Sequence, residues 1–469
     1  MSSTSASGES DAGPNVQMIL ARRIVTSREW HGRGNVGRDV VLDPRMPVRQ
    51  KRWMLSRDSH GRAILGGRRI ADLLEAAGAS TPAYIYDLGA MACEARELTA
   101  AFGDQPYLVA YAVKANTAGP VIRTLGDAGC GAEVGSWAEL QVALRAGIGP
   151  ERLLLSGMGK TSQAIDAAVG AGDRGIRAIQ VDSVDELGRI AARARAIGRK
   201  ARVALRLNPG VMAETHEAIA TGHDDAKFGI ALRDLAAAFE ALDGASDALD
   251  LVGLGGHVGS QLTRTEDYLE GARAILSIAV TRPGLELVDF GGGFGIDYGD
   301  GCAVRPADFA RAATALVREA MPGATLVVEP GRALVGAHGS LIATVVATKL
   351  SGERRWLVLD AGMTDLLRPA LYGARHRIEP LDAAPDPHAL TWRVVGPVCE
   401  STDEFGEFSL GSPPPAKVLI RDAGAYGYTM ASHYNGRGYP TEVFLHADGR
   451  VTTSHANSAT SWVDARSAS

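Results

Sequence analysis

Eight times in succession, within about 250 residues, a short apolar, β-branched run is followed by an Ala/Leu-rich amphipathic stretch. The runs are "YLVAYAVKAN" (107–116), "GAEVGS" (131–136), "RLLLSG" (152–157), "AIQVDS" (178–183), "RVALRLNP" (202–209), "LVGLGGHVG" (251–259), "ELVDFGGG" (286–293) and "TLVVEPG" (325–331). Ser136 and Ser183 each precede a glutamate by three residues, at Glu139 and Glu186, the spacing that caps a helix start. After Ser183, Val184, Leu187, Ile190, Ala194 and Ile197 recur at helical spacing, and Gly198 supplies the stop. An open doubly wound sheet could hold the same units. Their number predicts instead a closed parallel (β/α)8 barrel of the TIM type.

The rhythm predicts that residues 80–340 form this barrel. Beyond about residue 340 it breaks. "SLIATVVATKL", "RRWLVLDAG", "TWRVVGPVCE" and "AKVLIRD" read as strands separated by turns, so a C-terminal β domain is expected over 341–460, with a strand added from 56–79. Residues 1–15 are Ser/Gly-rich and expected to be disordered, and the Arg-rich remainder of 1–55 carries no assignable pattern. The 469 residues are 46% apolar, enough for a large core, and a net charge of −5 gives no basic surface for nucleic acid or a membrane. The four cysteines, Cys93, Cys130, Cys302 and Cys399, form no C-x-x-C pair, so neither a metal site nor a disulfide framework is expected. No apolar run is long enough to span a bilayer, and the polar N-terminus does not read as a signal peptide, which places the chain in a reducing cytoplasm.

In a parallel barrel the reactive side chains gather where strands end. Lys114 ends the first run and Glu133 the second. Arg206 and Asn208 end the fifth, His257 the sixth, Gly291, Gly292 and Gly293 the seventh, and Glu329 the eighth. Lys114 is one of only seven lysines. A lone lysine near a strand end most often reaches out to water. Here it shares a rim with two glycine-bearing loops after strands seven and eight, the habitual phosphate site of this fold. Lysine, phosphate cradle and carboxylate together point to pyridoxal 5′-phosphate, whose aldehyde, phosphate and ring nitrogen need one each. Glu329 is the natural partner of the ring nitrogen. A carboxylate there keeps the ring an electron sink, which favours a decarboxylase over a racemase.

The ordered segments "YAVKAN", "HVGSQ", "DFGGGFGIDY", "EPGR", "RPALYGA", "GPVCES" and "DAGAYGY" resemble the fold-type III pyridoxal-phosphate-dependent decarboxylases, whose barrel is alanine racemase-like, and among them the branch acting on diaminopimelate. The likeness covers residues 80–445. It implies that Lys114 carries the cofactor and that His257 lies against its ring. Ser260, Gly291, Gly292, Gly293, Gly331 and Tyr426 would contact phosphate, and Glu329 the ring nitrogen. Arg332 would touch both cofactor and substrate, while Arg368 and Tyr372 hold the substrate's distal end and Glu400 its distal ammonium. Cys399 would return a proton to Cα. The resemblance implies a homodimer in which the Cys-Glu pair reaches into the partner's site. "CES" and Arg368 favour a substrate with a distal amino-acid group, meso-diaminopimelate, giving L-lysine and CO2. An ornithine-, lysine- or arginine-like substrate, or a carrier-bound one, is the alternative. The sequence departs from the family's pattern in "AEVGSWAEL", in Arg375 and in its tail.

Overall fold

A computed structural model describes residues 55–208, 227–257, 259–301, 304–454 and 459–467. The N-terminal extension up to residue 54 and Cys302 lie outside the described residues. The eight runs are eight parallel strands: Tyr107–Ala112, Gly131–Val134, Leu153–Leu155, Ala178–Val181, Ala201–Asn208, Leu249–Gly256, Leu287–Gly292 and Thr325–Glu329. Each pairs with the next, and the eighth returns to the first with Val327 opposite Leu108, so the sheet is closed. A two-residue strand, Ile230–Ala231, adds alongside the end of the fifth.

The twofold alternation of a strand layers the barrel interior. At the bottom Leu108, Ala110, Leu154, Ala178, Ala204, Val252, Leu287 and Val327 form an apolar plug. Two residues further along the same inward faces come Ser156, Gln180, Arg206, Asp289 and Glu329. Sequence parity alone therefore seats a polar layer on an apolar one, at the strands' C-terminal ends.

Both capped helices start where expected. The Ser136 and Ser183 hydroxyls accept from the amides of Glu139 and Glu186, and Gly198 ends the second helix in the left-handed region at φ 74°. The two glutamates reach back to the amides of Gly135 and Asp182, one residue ahead of each cap. Strand eight is followed only by the short turn of helix Arg332–Val335. The missing outer helix is supplied from ahead of the barrel by Leu88–Ala100, which packs between helices Gly119–Asp127 and Pro306–Ala320.

The C-terminal β domain is built around the long strand Gly339–Ser351. Its first half pairs with Ala83–Asp87 and Lys417–Ile420, and its second half with Arg354–Leu359. The strand added from the N-terminal side is thus 83–87, not a part of 56–79. Tyr84 and Tyr86 face the main core while Ala83 and Ile85 face a second cluster, so this segment is apolar on both faces and fits a central position. Residues 56–69 carry Arg57, Asp58 and Arg62 and form only a small three-stranded sheet. With helix Ile70–Ala76 this sheet covers Ile85, Ile342, Leu419 and Val443. Among the described residues no helix is long and apolar enough to cross a membrane.

Candidate active site

A cleft of about 1010 Å³ opens at the C-terminal mouth of the barrel, between it and the loops of the β domain. Lys114 sits in a single 3-10 turn, Val113–Ala115, directly after the first strand. Its Nζ donates to Glu133 Oε2 at 2.9 Å, and the Ser156 hydroxyl donates to the other oxygen of Glu133. The Lys114 side chain is 55% accessible against 4% for Glu133, but that access is to the cleft. Burial works to lower the Lys114 pKa; the charges of Glu133, Tyr426 and Glu329 outweigh it, and the net shift is upward. Burial likewise opposes ionisation of Glu133, and the lysine opposite holds it below its ordinary value. The pair is an ammonium and a carboxylate when the cleft holds nothing else.

Beneath the lysine, Gln180 Nε2 donates to Asp289 Oδ2 at 2.5 Å and to Glu329 Oε1 at 2.8 Å. Enclosure, then the charges of Asp289 and Glu133, push Glu329 well above the usual carboxylate range. Burial pushes Asp289 up to about 6. Sequence reasoning assigned no role to Gln180 or Asp289. Their inward parity on strands four and seven was the available signal.

His257 lines the cleft, and its Nδ1 accepts from the Gly292 amide at 3.2 Å. Burial, with Arg206 and Lys114 nearby, lowers its pKa to about 3, so the ring is neutral. The glycine triplet divides its work. Gly293 lines the cleft, at φ 88°, where an added Cβ would stand 2.2 Å from the Gly259 carbonyl oxygen. Gly291 and Gly292 lie beneath the wall with their amides committed to Asp289 Oδ1 and His257 Nδ1. They shape the turn and leave Gly293 to face the cleft. Gly331 also lines it, and a Cβ there would meet Ala112 and Ala115 at 3.1 Å and the Tyr426 hydroxyl at 3.3 Å. The Tyr426 amide donates to the Ala115 carbonyl, tying the β domain to the lysine's own turn.

The opposite wall is cationic. Arg332 and Arg368 are only 8% and 7% exposed, and among the described residues neither lies within ion-pair distance of a carboxylate. Arg332 donates to the Tyr298 hydroxyl at 2.7 Å and to Ser260 Oγ at 3.1 Å, with its guanidinium over the Tyr426 ring. Arg368 stacks 4.9 Å above the Tyr298 ring and donates to His376 Nε2 at 2.8 Å. Tyr372 and Arg375 line the same cleft. Tyr298 closes the segment "DFGGGFGIDY" but was given no role there, and neither it nor His376 lies at a strand end or in a periodic pattern.

The structure therefore brings Lys114, His257, Ser260, Gly293, Glu329, Gly331, Arg332, Arg368, Tyr372 and Tyr426 to one cleft. Cys399 and Glu400 are not among its lining residues. Both are exposed in the turn between strands Thr391–Val395 and Glu404–Ser409, and the Tyr434 hydroxyl donates to Glu400. Chemically, the cleft offers a lysine amino group, a buried carboxyl whose pKa is raised, a glycine-lined pocket and two guanidiniums that, among the described residues, have no carboxylate within ion-pair distance.

A profile for the pyridoxal-dependent decarboxylases, pyridoxal binding domain, matches residues 88–336. The diaminopimelate decarboxylase of Zymomonas mobilis is 39% identical over 383 residues, which cover 79% of this chain and 89% of that protein. Two solved structures, each with L-lysine bound, are similar throughout. The diaminopimelate decarboxylase of M. jannaschii has a TM-score of 0.79 and 31% identity over 87% of this chain and 96% of its own. That of Helicobacter pylori has a TM-score of 0.76 and 32% identity over 85% and 99%.

Proposed function

Because this chain belongs to the pyridoxal-dependent decarboxylases, we propose that it removes one carboxyl group from meso-diaminopimelate, releasing CO2 and L-lysine. The observation that carries the substrate is the pair of buried guanidiniums, Arg332 and Arg368, held in the lysine's cleft with no carboxylate partner among the described residues. Arginine presents a fork that matches a carboxylate, and a substrate lacking a distal carboxylate would leave Arg368 buried and unpaired.

The cleft fits pyridoxal 5′-phosphate on its own geometry. The space beside Gly331 and the Tyr426 hydroxyl is one that a single Cβ would crowd, Ser260 and Arg332 border the same cleft, and Glu329 stands there as a buried carboxyl with a raised pKa. Bound there, the cofactor supplies an electron sink for the bond that breaks at Cα. Ser260, Gly293, Gly331, Arg332 and Tyr426 would hold its phosphate, with His257 against its ring.

The chain's own residues do the rest. Lys114 Nζ must give up a proton to act as a nucleophile, and until then Glu133, 2.9 Å away, holds the ammonium in place. Glu329, once ionised, would face the ring nitrogen and favour its protonated form. Arg368 and Tyr372 orient the substrate by its far end, which is catalysis by positioning. Cys399 Sγ would return the proton to Cα, and Glu400 would take the distal ammonium. Neither lines its own chain's cleft, which supports a homodimer in which each subunit lends this pair to the other. A thiol that must stay reduced to donate a proton fits a cytoplasmic location.

The test is CO2 release from purified holoenzyme offered meso-diaminopimelate, L-lysine, L-ornithine and L-arginine separately. Turnover of meso-diaminopimelate alone is expected; turnover of ornithine alone would overturn the roles given to Arg368 and Glu400.

A further inference from the structure

Arg368 faces an unusual partner. A buried guanidinium is most often matched by a carboxylate, which satisfies its donors and cancels its charge. Here the acceptor is His376, 3% exposed and eight residues further along, just past the helix Arg368–Tyr372 that Arg368 begins. Both imidazole nitrogens are in use, and their partners settle the tautomer. Nδ1 lies 3.0 Å from the Arg421 carbonyl oxygen, which can only accept, so Nδ1 carries the hydrogen. Nε2 lies 2.8 Å from Arg368 Nη1, which can only donate, so Nε2 presents its lone pair. Arg421 follows strand Lys417–Ile420, which anchors the imidazole to the β sheet. The Tyr298 ring packs against the histidine edge-on, 5.3 Å away at 79°, while its face carries the guanidinium. The arginine is thus held on one side by a lone pair and beneath by a ring, and neither bears a negative charge. Burial, with Arg368, Arg332 and Arg377 nearby, drives the His376 pKa down to about 3, in keeping with that tautomer.

We propose that His376 is the positioning residue for Arg368: its Nε2 fixes the guanidinium's orientation without cancelling its charge, so the cleft keeps a whole positive charge for the carboxylate at the substrate's far end. The inference rests on the reading of Arg368 as the holder of that carboxylate. It predicts that a stronger hydrogen-bond acceptor at position 376 makes a worse enzyme when that acceptor is anionic.

The experiment uses holoenzyme and two ligands, L-lysine, which has a carboxylate, and 1,5-diaminopentane, which has none. Binding is measured by calorimetry, beside KM and kcat for meso-diaminopimelate. His376→Leu should weaken L-lysine binding and raise KM about tenfold or more, the scale of a lost hydrogen bond to a charged group. Binding of 1,5-diaminopentane should stay unchanged, and kcat should fall less than about threefold. His376→Gln, whose amide oxygen can accept the same bond, should restore most of the loss. His376→Glu should bind L-lysine more weakly than His376→Gln. The inference is overturned if His376→Leu weakens both ligands equally, or if His376→Glu binds L-lysine as tightly as the parent. The His376→Gln and His376→Glu comparison decides the matter even if the leucine variant does not fold. Arg368→Ala separates the foundation from the inference: unchanged L-lysine binding there would sink the carboxylate reading, and the role of His376 with it, whereas a loss there with none in His376→Leu would sink the positioning role alone.

Discussion

Replacing Gln180 with leucine removes one amide and leaves the barrel's packing nearly unchanged, because the two side chains are close in size. That amide donates to two carboxyls at once, Asp289 Oδ2 at 2.5 Å and Glu329 Oε1 at 2.8 Å. In the empty protein the loss is cushioned. Burial holds both carboxyls above their ordinary values, Asp289 at about 6, so the two can share a proton directly. The melting temperature of the cofactor-free variant should therefore stay within a few degrees of the parent, about 1 kcal/mol or less. Loading the site is different, since in the proposed arrangement Glu329 would then be an anion beside a cationic ring nitrogen. A hydrogen bond to a charged acceptor contributes about 1.5–3 kcal/mol, which converts to a 10- to 150-fold rise in the cofactor's dissociation constant. The assay is titration of the cofactor-free protein with pyridoxal 5′-phosphate, followed by absorbance, with melting of the unloaded protein as control. An affinity within about threefold of the parent would mean that Glu329 does not face the ring nitrogen as an anion.

Three further outcomes are expected. Lys114→Ala and Cys399→Ala proteins, each nearly inactive, should regain about a quarter of the parent's activity when unfolded and refolded together, since random pairing in a twofold dimer makes half the dimers mixed and one site in each of those intact; no recovery in a mixture that melts normally would remove the shared site. Gly331→Ala should raise the cofactor's dissociation constant by at least about fivefold, because the new methyl presses at 3.1 Å on Ala112 and Ala115, which cannot easily give, and toward the Tyr426 hydroxyl; unchanged affinity would place the phosphate elsewhere. His376 is held near 3 in the folded protein and titrates near 6.5 once unfolded, so its contribution is whole above pH 6.5 and fades as the pH falls toward 3, by about 2 kcal/mol at pH 5. Urea unfolding at pH 7.5 and pH 5 should therefore show His376→Gln losing about 2 kcal/mol less than the parent, and equal losses would contradict a neutral buried imidazole.

The barrel was readable because its signal is periodic. Eight runs, helix starts at Ser136 and Ser183 and the stop at Gly198 all act within a few residues of the chain. The rim was readable in part for the same reason: a strand's twofold period decides that Gln180, Asp289 and Glu329 look inward once the strand ends are known, whereas Lys114 stands just past its strand, in a 3-10 turn. The strand at 83–87 was not readable, because "AYIYD" becomes central only through pairing with residues 339–342 and 441–445, far along the chain. Gly291 and Gly292 show the converse failure. A glycine triplet suggests a cradle of three amides, yet two are committed to Asp289 and His257, which only the folded geometry reveals. Cys399 and Glu400 rested on resemblance throughout, and nothing in periodicity or spacing would have singled them out.

The charges explain why the cleft is built with unmet needs at both ends. On the floor, Glu133 is satisfied by Lys114 and Ser156, while Asp289 and Glu329 share the Gln180 amide and burial raises the pKa of both. On the wall, Arg332 and Arg368 are answered by a phenol, a hydroxyl and an imidazole, none of them charged. Buried charges without counter-ions are costly, and a chain selected only for stability would bring the two sets together or replace them with apolar groups. Keeping them apart leaves each free for a visitor of opposite sign. In the proposed arrangement a cofactor with a cationic ring nitrogen and an anionic phosphate would meet both needs in one orientation, and a substrate carboxylate would then find Arg368 still charged. Internal neutralisation, whether by a carboxylate in place of His376 or by an arginine in place of Gln180, would stabilise the empty protein and abolish that choice of orientation. Stability forgone in the empty cleft is recovered on loading, so ligand-induced stabilisation should be larger in the parent than in any variant that neutralises either end.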